Sequence, residues 1–524
     1  MEIIVITLLY FVSYIFIPLN AGIFWDDWCL YHQNELVVFS FHKESGFFLY
    51  WPAYLHSLML SVSYGILIER LVIFFSFLCS TVLLFDFLKK IKEIDRMSRF
   101  FIMIFFSIFP LIFSRIGVAA LCYALSNLFF YLGLFLVGRY FDKRKIHIRI
   151  MALMAIFLSF STNSILFFYL IVLLFIVYKE RRTLISIRSL VNKCLNYIDF
   201  LLLPVAFWIL KNMFFKPYGL YDKYNQIYIY SPLKYLFQAL IAFYNTFIYL
   251  IVSQFIPFFQ QHTVLIFIAS MILFFIFKKI INIRENNKYV KYDLRFLILG
   301  FFAFFTGVFP YLAVGKMPQL YGWESRHELL LPLGLSLILF YSVKIIAYYL
   351  KLSFTVKLFV YSFIISLFIF FNQYIYLEYQ KDWFKQLSLI ENFQESQILK
   401  ENTTFIFEDR TLGLNALKRI YDFYEYNGLM KYAFGDQKRF GSDSTEFTNI
   451  NDYRIYIADP KYNMYDYEIK EPQYKVIIDY NKPDILNNGT TLKLLWNEFF
   501  NNKEFITQIK RIVRLDYIQL KGEK

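Results

Sequence analysis

The sequence predicts a polytopic α-helical membrane protein, with about eleven transmembrane helices followed by a small C-terminal α/β domain. The chain of 524 residues is 58% hydrophobic and 22% aromatic, with a mean hydropathy of +0.46. That is more apolar surface than a soluble core of this size can bury. Apolar runs of about 20 residues, the length that crosses a bilayer, recur through residues 1–376. After residue 376 they give way to mixed polar sequence.

Eleven passes are predicted from the apolar runs and the basic residues between them. The two apolar stretches within 150–178 have basic clusters at both outer ends, so we expect a hairpin of two short helices that turns at 161–164. Residues 234–257 are also apolar, but a full span there would move the basic loop 278–295 to the opposite side. We therefore expect 234–257 to lie in the outer interface or to re-enter. Nine further runs are read as single spans: 3–19, 66–88, 100–114, 117–137, 197–215, 263–278, 294–314, 328–348 and 356–376.

The distribution of charge sets the expected orientation. Residues 377–524 contain 21 Lys and Arg against 23 Asp and Glu, so the surplus behind the net charge of +14 lies in residues 1–376. There the basic residues form short clusters between apolar runs, where charge determines membrane topology. This pattern argues against a nucleic-acid partner. It predicts a protein of the cell membrane with a cytoplasmic N-terminus and an extracytoplasmic C-terminal domain.

Two adjacent carboxylates, Asp26 and Asp27, follow the first span within a few residues. Beside a bilayer such a pair is unfavourable unless a cation, a proton or hydrogen-bond donors compensate for the repulsion and the lost hydration. The two residues are therefore functional candidates. The alternative is an interfacial aromatic belt, formed with Trp25 and Trp28, in which two solvated acids cap a following helix.

The place of Asp26 and Asp27, at the start of a large first external loop (20–65), resembles the GT-C superfamily of polytopic glycosyltransferases. The resemblance covers the architecture of residues 1–376 and the two-residue motif. It implies transfer of a sugar from a polyprenyl-phosphate-linked donor to a glycan, lipid or protein acceptor at the cell surface. It also implies that Asp26 or Asp27 acts as general base or helps to hold a divalent cation, Mg²⁺ or Mn²⁺.

Four basic residues are expected on the same side of the membrane as the acidic pair: Arg115, Lys316, Arg326 and His327. Glycosyl transfer from a phosphosugar needs a carboxylate to accept the proton of the acceptor and cations to neutralise the leaving phosphate. The segment around Arg326 also resembles the late Arg-containing segment of GT-C enzymes that meets the donor phosphate. The alternative for each of the four is a side chain that reaches to lipid headgroups. The first-loop residues His32, His42 and His56 are expected to be interfacial.

Residues 377–524 are expected to form the extracytoplasmic α/β domain, and they contain no recognisable nucleophile, phosphate-loop or metal motif. The resemblance implies a role for this domain in handling the acceptor. The predicted strands are 404–407, 453–458 and 474–479, and the predicted helical regions are 411–432 and 491–513.

Two other functional classes are compatible with a membrane protein that acts on lipid-linked saccharides. A transporter or flippase would be expected to show internal repeats and ionisable residues deep in its spans. No repeat is visible, and the notable ionisable residues collect at the outer interface. A polymerase or ligase of lipid-linked glycans would place its large external loop between late spans, rather than as a C-terminal domain.

Overall fold

A computed structural model describes residues 1–31, 35–183, 186–281, 290–458, 462, 470–482 and 486–520. Most of the described chain is helical. The helices up to residue 395 are α1 (Glu2–Tyr14), α2 (Phe16–Leu19), α3 (Glu35–Glu44), α4 (Trp51–Leu60), α5 (Gly65–Leu88), α6 (Arg96–Ile108), α7 (Leu121–Lys143), α8 (Ile146–Ser159), α9 (Ile165–Phe168), α10 (Leu170–Glu180), α11 (Ile187–Asn196), α12 (Ile198–Phe214), α13 (Pro232–Phe243), α14 (Ile256–Ile280), α15 (Val290–Ala313), α16 (Leu331–Tyr349) and α17 (Phe354–Glu395).

Within the described residues, seven helical segments are long and apolar enough to cross a membrane. The pair α11 and α12, bent by 56° between the two helices, is an eighth candidate if it counts as one span. The other three expected passes correspond to α6, to α8 and to α9 with α10, which are shorter. The chain is thus a multi-pass helical membrane protein. The count of eleven passes goes beyond these seven or eight candidates and stays a prediction.

Ion pairs between helix ends define one face of the bundle, here called the basic face. Arg96 at the start of α6 pairs with Glu2 at the start of α1. Lys344 near the end of α16 pairs with Asp293 near the start of α15, with 2.9 Å between Nζ and Oδ1. The paired helix ends belong to different predicted passes, and the alternation of these passes requires the ends to lie on one side of the membrane. The ion pairs bring them together on one face of the bundle.

The opposite face carries the first loop and the turns that the sequence places on its side, and is here called the Asp26 face. Trp51 Nε1 donates a 2.9 Å hydrogen bond to Ser161 Oγ in the turn between α8 and α9. In the same turn, Ser164 Oγ lies 3.1 Å from Tyr311 Oη near the end of α15. The turn expected at 161–164 therefore exists and lies on the Asp26 face.

A single helical run extends over Pro232–Ile280, which is 49 residues. It consists of α13, two π-helical turns (Tyr244–Ile248 and Leu250–Phe255) and α14, with a break in the helical geometry at His262. A straight helix of this length would measure about 75 Å, more than twice the hydrocarbon thickness of a bilayer. The run therefore cannot be one perpendicular span.

Contacts along this run show where it crosses the bundle. Just before it, Tyr228 N donates to the carbonyl of the last residue of α15 on the Asp26 face, at 2.8 Å. Phe258 packs on Tyr374, twenty residues into α17, while Phe277 packs on Phe101 near the start of α6. The part before His262 thus begins and ends in the half of the bundle nearest the Asp26 face, and α14 makes the crossing. This geometry agrees with the expectation that 234–257 does not cross by itself.

The C-terminal part is joined to the membrane part by α17, which is continuous over 42 residues. The expected boundary between residues 376 and 377 lies inside this helix. Phe384 and Phe393 in its second half are fully buried, and Phe393 packs on Phe407 of the sheet. The remaining elements are α18 (Gln397–Glu401), β1 (Thr404–Asp409), α19 (Phe423–Phe434), β2 (Phe440–Asp443), α20 (Ile450–Ala458), β3 (Tyr474–Tyr480), α21 (Asn488–Phe500), α22 (Asn502–Ile509) and β4 (Val513–Gln519).

The four strands form one sheet in the order β2-β1-β3-β4, in which β1 is parallel to β2 and β3, and β4 is antiparallel to β3. The strands expected at 404–407 and 474–479 are present as β1 and β3. The strand expected at 453–458 is wrong, because these residues belong to α20. There Tyr453 packs on Phe440 and Phe423, so aromatic side chains suited to a strand instead form one side of a helix.

Candidate functional site

Asp27 lies in a short 3₁₀ helix, Trp25–Cys29, at the start of the first loop. Its side chain is buried, with Oδ1 accepting a 2.9 Å hydrogen bond from Ala119 N and Oδ2 a 3.3 Å bond from Phe24 N. A Cβ atom on Gly117 would lie 3.2 Å from Oδ1, so glycine lets this backbone come close. Burial raises the pKa of Asp27 to about 7, although these N–H donors favour the charged form. Asp27 therefore fastens the first loop to the turn before α7.

Arg70, near the start of α5, hydrogen-bonds to the same two segments, the start of the first loop and the turn before α7. Its side chain is fully buried. Nε donates a 2.8 Å hydrogen bond to Ile116 O, and the two terminal nitrogens donate to the carbonyls of Asn20 and Gly22. No motif in the sequence indicates a role for Arg70. An unpaired arginine in an apolar segment has a high energetic cost. The presence of an arginine in this span is therefore the sequence signal that it has specific partners.

Asp26, the neighbour of Asp27, is half-buried and has different surroundings. It interacts electrostatically with Arg326, which follows α15, and with Tyr424 of α19. Burial and the nearby charge of Asp26 together raise the pKa of the Tyr424 hydroxyl. Asp26 thus lies where the first loop, the segment before α16 and the C-terminal part meet.

Arg326 belongs to a short 3₁₀ helix, Trp323–Glu328, and its side chain is 8% exposed. Nη2 lies 3.1 Å from Glu324 Oε1 and donates to Tyr224 Oη at 3.4 Å, while the guanidinium lies over the Trp323 ring. Nη1 is buried and has no hydrogen-bond partner among the described residues. Burial alone would lower the pKa of Arg326, but the nearby Tyr123, Glu324 and Tyr224 raise it above its usual value. The guanidinium therefore stays charged and keeps one donor group for a ligand.

Lys316 and His327 lie close to Arg326. Lys316 Nζ donates to Asn225 Oδ1 at 2.9 Å, and burial together with Arg326 lowers the pKa of Lys316 to about 8. His327 Nδ1 lies 3.0 Å from Glu324 Oε2, and burial lowers the pKa of His327. Glu324 thus lies beside two cations and an imidazole: burial alone would raise its pKa, but the hydrogen bond with His327 and the nearby Arg326 and Lys316 lower it to about 2.

Arg115, the fourth predicted cation, has a different environment. Its Nε donates to Ile112 O at 3.2 Å, and its guanidinium lies over the rings of Tyr14 and Phe77, at 4.5 and 4.6 Å from their centroids. These rings belong to α1 and α5, inside the helix bundle. The structure therefore does not give Arg115 and Arg326 a common set of partners.

A buried ion network connects the C-terminal part to the first loop. Arg419 pairs with Asp382 of α17 and Glu425 of α19, with nitrogen–oxygen distances of 2.7 and 2.6 Å. Glu425 Oε1 also accepts a 3.1 Å hydrogen bond from Trp25 N, directly before Asp26. No sequence pattern indicates this network, because its members are hundreds of residues away from Trp25 and follow no local spacing.

The arrangement of Asp26 and Asp27 does not fit a divalent cation held between them. The oxygens of Asp27 already accept backbone N–H groups. Across the described residues, no group of three or more His, Cys, Asp or Glu side chains is placed to hold a metal ion.

The first-loop histidines His42 and His56, which were expected to be interfacial, are buried among protein side chains. His56 Nδ1 lies 2.9 Å from Glu69 Oε1 at the start of α5, and burial lowers the pKa of His56 to about 4. This neutral imidazole helps to pack the first loop against α5. His32, the third of these residues, is outside the described residues.

Comparison with known proteins gives no match: no family model, no curated protein and no solved structure matches this chain. The resemblance to GT-C glycosyltransferases therefore rests on the architecture and on the acidic pair, and it stays a prediction. What the structure adds is the set of groups around the buried Arg326, which comprises Asp26, Lys316 and two tyrosines.

Proposed function

We propose that this chain is a membrane glycosyltransferase that moves a sugar from a polyprenyl-phosphate-linked donor to a hydroxyl of a glycan, lipid or protein acceptor. The observation that carries the proposal is the proximity of Asp26 to Arg326. A half-buried carboxylate and a buried guanidinium with one unpaired nitrogen interact at the meeting point of three segments. Transfer from a phosphosugar requires a carboxylate that accepts the acceptor's proton and a cation that neutralises the leaving phosphate.

In this proposal Asp26 is the general base. It accepts the proton of the acceptor hydroxyl while the hydroxyl oxygen forms a bond to the anomeric carbon of the sugar. The bond between that carbon and the phosphate oxygen breaks, and its electron pair leaves with the polyprenyl phosphate. Arg326 binds the phosphate through Nη1, and Lys316 adds a second positive charge.

The proposal assigns Asp27 and Arg115 to structural roles. Asp27 positions the 3₁₀ helix that carries Asp26, since both of its oxygens bind backbone N–H groups. Arg115 supports the turn before α7 through carbonyls of its own turn. No metal ion takes part in the proposed step.

The proposal is tested with a ligand that does not depend on the unknown sugar, namely polyprenyl phosphate, the product shared by all such donors. In nanodiscs, R326Q should weaken binding of polyprenyl phosphate by about tenfold to a hundredfold, because a charge-assisted contact to phosphate is lost. R115Q, which removes the buried arginine of the turn before α7, should bind it as the wild type does. Failure of the wild type to bind polyprenyl phosphate, or equal binding by R326Q, would contradict the phosphate site.

The base is tested by sugar transfer from polyprenyl-phosphate monosaccharides. D26N should lose about 10²–10⁴-fold in turnover, as expected for removal of a general base, and should still bind polyprenyl phosphate. The matched control is D222N, since Asp222 is an exposed acid in a neighbouring loop and its replacement should leave turnover unchanged. Wild-type turnover in D26N would rule out Asp26 as the base.

A further inference from the structure

Helix α21 of the C-terminal part exposes three large aromatic side chains at its end. Trp496, Phe499 and Phe500 are 63%, 57% and 69% exposed, and the rings of Trp496 and Phe500 are 4.3 Å apart. The opposite side of the helix is also apolar, because Leu494 and Leu495 are buried. The three exposed rings, here called the aromatic corner, are thus not needed for the core. A contiguous apolar patch of this kind marks a contact surface.

The height of the aromatic corner follows from the way α22 runs along α17. Phe505, near the start of α22, packs on Phe384 with 5.6 Å between ring centroids. Lys510, just after α22, pairs with Glu395 at the end of α17, with 2.7 Å between Nζ and Oε1. Since α17 runs away from the membrane part, α22 runs away from it too. The start of α22, which directly follows Phe500 at the end of α21, is therefore the part of α22 nearest the membrane.

The level of the bilayer can be estimated along α17. A span of about 20 residues that starts at Phe354 ends near residue 374, so Phe384 lies about 15 Å beyond the hydrocarbon. Phe500 precedes Phe505 by five residues, and the aromatic corner is therefore several ångströms closer to the membrane. An interfacial region of about 6 Å on each side brings the lipid headgroups within reach of these side chains.

The aromatic corner also lies above the edge of the bundle rather than its centre. Phe384 follows Gln373 by eleven residues, about three helical turns, so both are on the same side of α17. Gln373 Nε2 donates a 2.8 Å hydrogen bond to Val12 O of α1. Helix α1 exposes Leu8 and Val12 outward, as a helix that faces lipid does. The aromatic corner is thus placed over lipid.

We propose that the aromatic corner is a membrane anchor that inserts into the headgroup region of the leaflet on the Asp26 face. Trp and Phe side chains are favoured in this region, and nearby lysines bind lipid phosphates. Lys493 and Lys503 flank the three rings, and both are exposed. The anchor gives the C-terminal part a second attachment to the bilayer besides α17. The inference does not depend on the proposed glycosyltransferase activity.

The anchor is tested with nitroxide labels on the full chain in nanodiscs, in a background without the exposed native cysteines. A label at F499C should show a higher ratio of oxygen to nickel-chelate collision rates than a label far from the bilayer, because oxygen concentrates in lipid and the water-soluble chelate does not. The matched control is E395C, because Glu395 is exposed at the end of α17, about 16 Å farther from the membrane part than Phe384. Its label should show the lower ratio of a water-exposed site.

Two results would overturn the anchor. One is a label at F499C with the same ratio of oxygen to nickel-chelate collision rates as the label at E395C. The other is spin–spin broadening at F499C, which would mean that a second copy of the chain covers the aromatic corner. A second measurement avoids altering Phe499: the emission of Trp496, taken as the difference between wild type and W496F, should be quenched by lipids brominated near the headgroup. An unquenched difference would overturn the proposal independently.

Discussion

Replacing Arg419 with leucine tests the buried ion network that joins the C-terminal part to the first loop. The side chains of Arg419, Asp382 and Glu425 are 8%, 0% and 1% exposed. In R419L both carboxylates lose their cation, while leucine keeps apolar contact with the aromatic rings beside Arg419. Removing one partner of a buried ion pair costs about 3–5 kcal/mol, because the remaining charge is left without compensation. We therefore expect R419L to lower the free energy of unfolding of the C-terminal part by about 3–5 kcal/mol.

The loss is measured by pulse proteolysis in urea, which reports the fraction of chains with an unfolded C-terminal part. The matched control is R410L, because Arg410 is 52% exposed and pairs with Glu408 on the surface. An exposed pair contributes less than about 1 kcal/mol. Adding D382N and E425Q to R419L should recover part of the loss, since the uncompensated charges are then removed. Equal urea midpoints for R419L and R410L would refute the reasoning.

Three further predictions concern the site and the orientation of the chain. The folded-state pKa of Asp27 is about 7, well above its ordinary value, so folding favours the protonated carboxyl. The free energy of unfolding of the wild type should therefore fall as pH rises from about 4 to 7. Measured by thermal unfolding and relative to D27N, this fall should reach about 4 kcal/mol. The pKa of Lys316 is about 8, so polyprenyl phosphate binding should weaken as pH rises through about 8, and K316R should remove this dependence because arginine stays charged. Cysteines at K438C and R181C, both exposed positions, should react with an impermeant thiol reagent from opposite sides of the membrane; labelling of both from one side would contradict the two-face arrangement.

The membrane part of the fold could be predicted from the sequence to a considerable extent, because apolar length and basic clusters are local signals. They indicated the turn at 161–164 and the unusual character of 234–257. They could not show that 234–257 is continuous with the next helix. Such continuity depends on packing of the π-helical turns against α17, which involves residues more than a hundred positions away.

The C-terminal part was predicted less well, for a different reason. Residues 453–458 have β-branched and aromatic side chains that favour a strand, but tertiary packing of Tyr453 against Phe440 places them in a helix. The strand at 440–443 gave no signal, since Gly441, Ser442 and Asp443 are poor strand formers. It forms because β1 offers it a parallel partner.

The candidate site shows the same division between local and long-range signals. Sequence reasoning placed four cations on the face of Asp26 by assuming that loops on one face meet, and among them Arg326 interacts with Asp26. Sequence reasoning could not distinguish the environment of Arg326 from that of Arg115, because each lies in a short loop directly before a predicted span. The difference arises from side-chain direction: Arg115 turns toward Tyr14 and Phe77, and Arg326 toward Trp323 and the loop of Tyr224.

The geometry of the acidic pair explains why its two members have separate roles. In a 3₁₀ helix of three residues per turn, successive side chains point about 120° apart. Asp26 and Asp27 therefore cannot face the same space, which disfavours both a shared metal ion and a shared proton. Asp27 can be buried against the backbone of the turn before α7 only because Asp26 points in another direction. If Asp26 is the base, the burial of Asp27 fixes its position, and loss of Asp27 should reduce transfer through displacement of Asp26 rather than through loss of a proton acceptor.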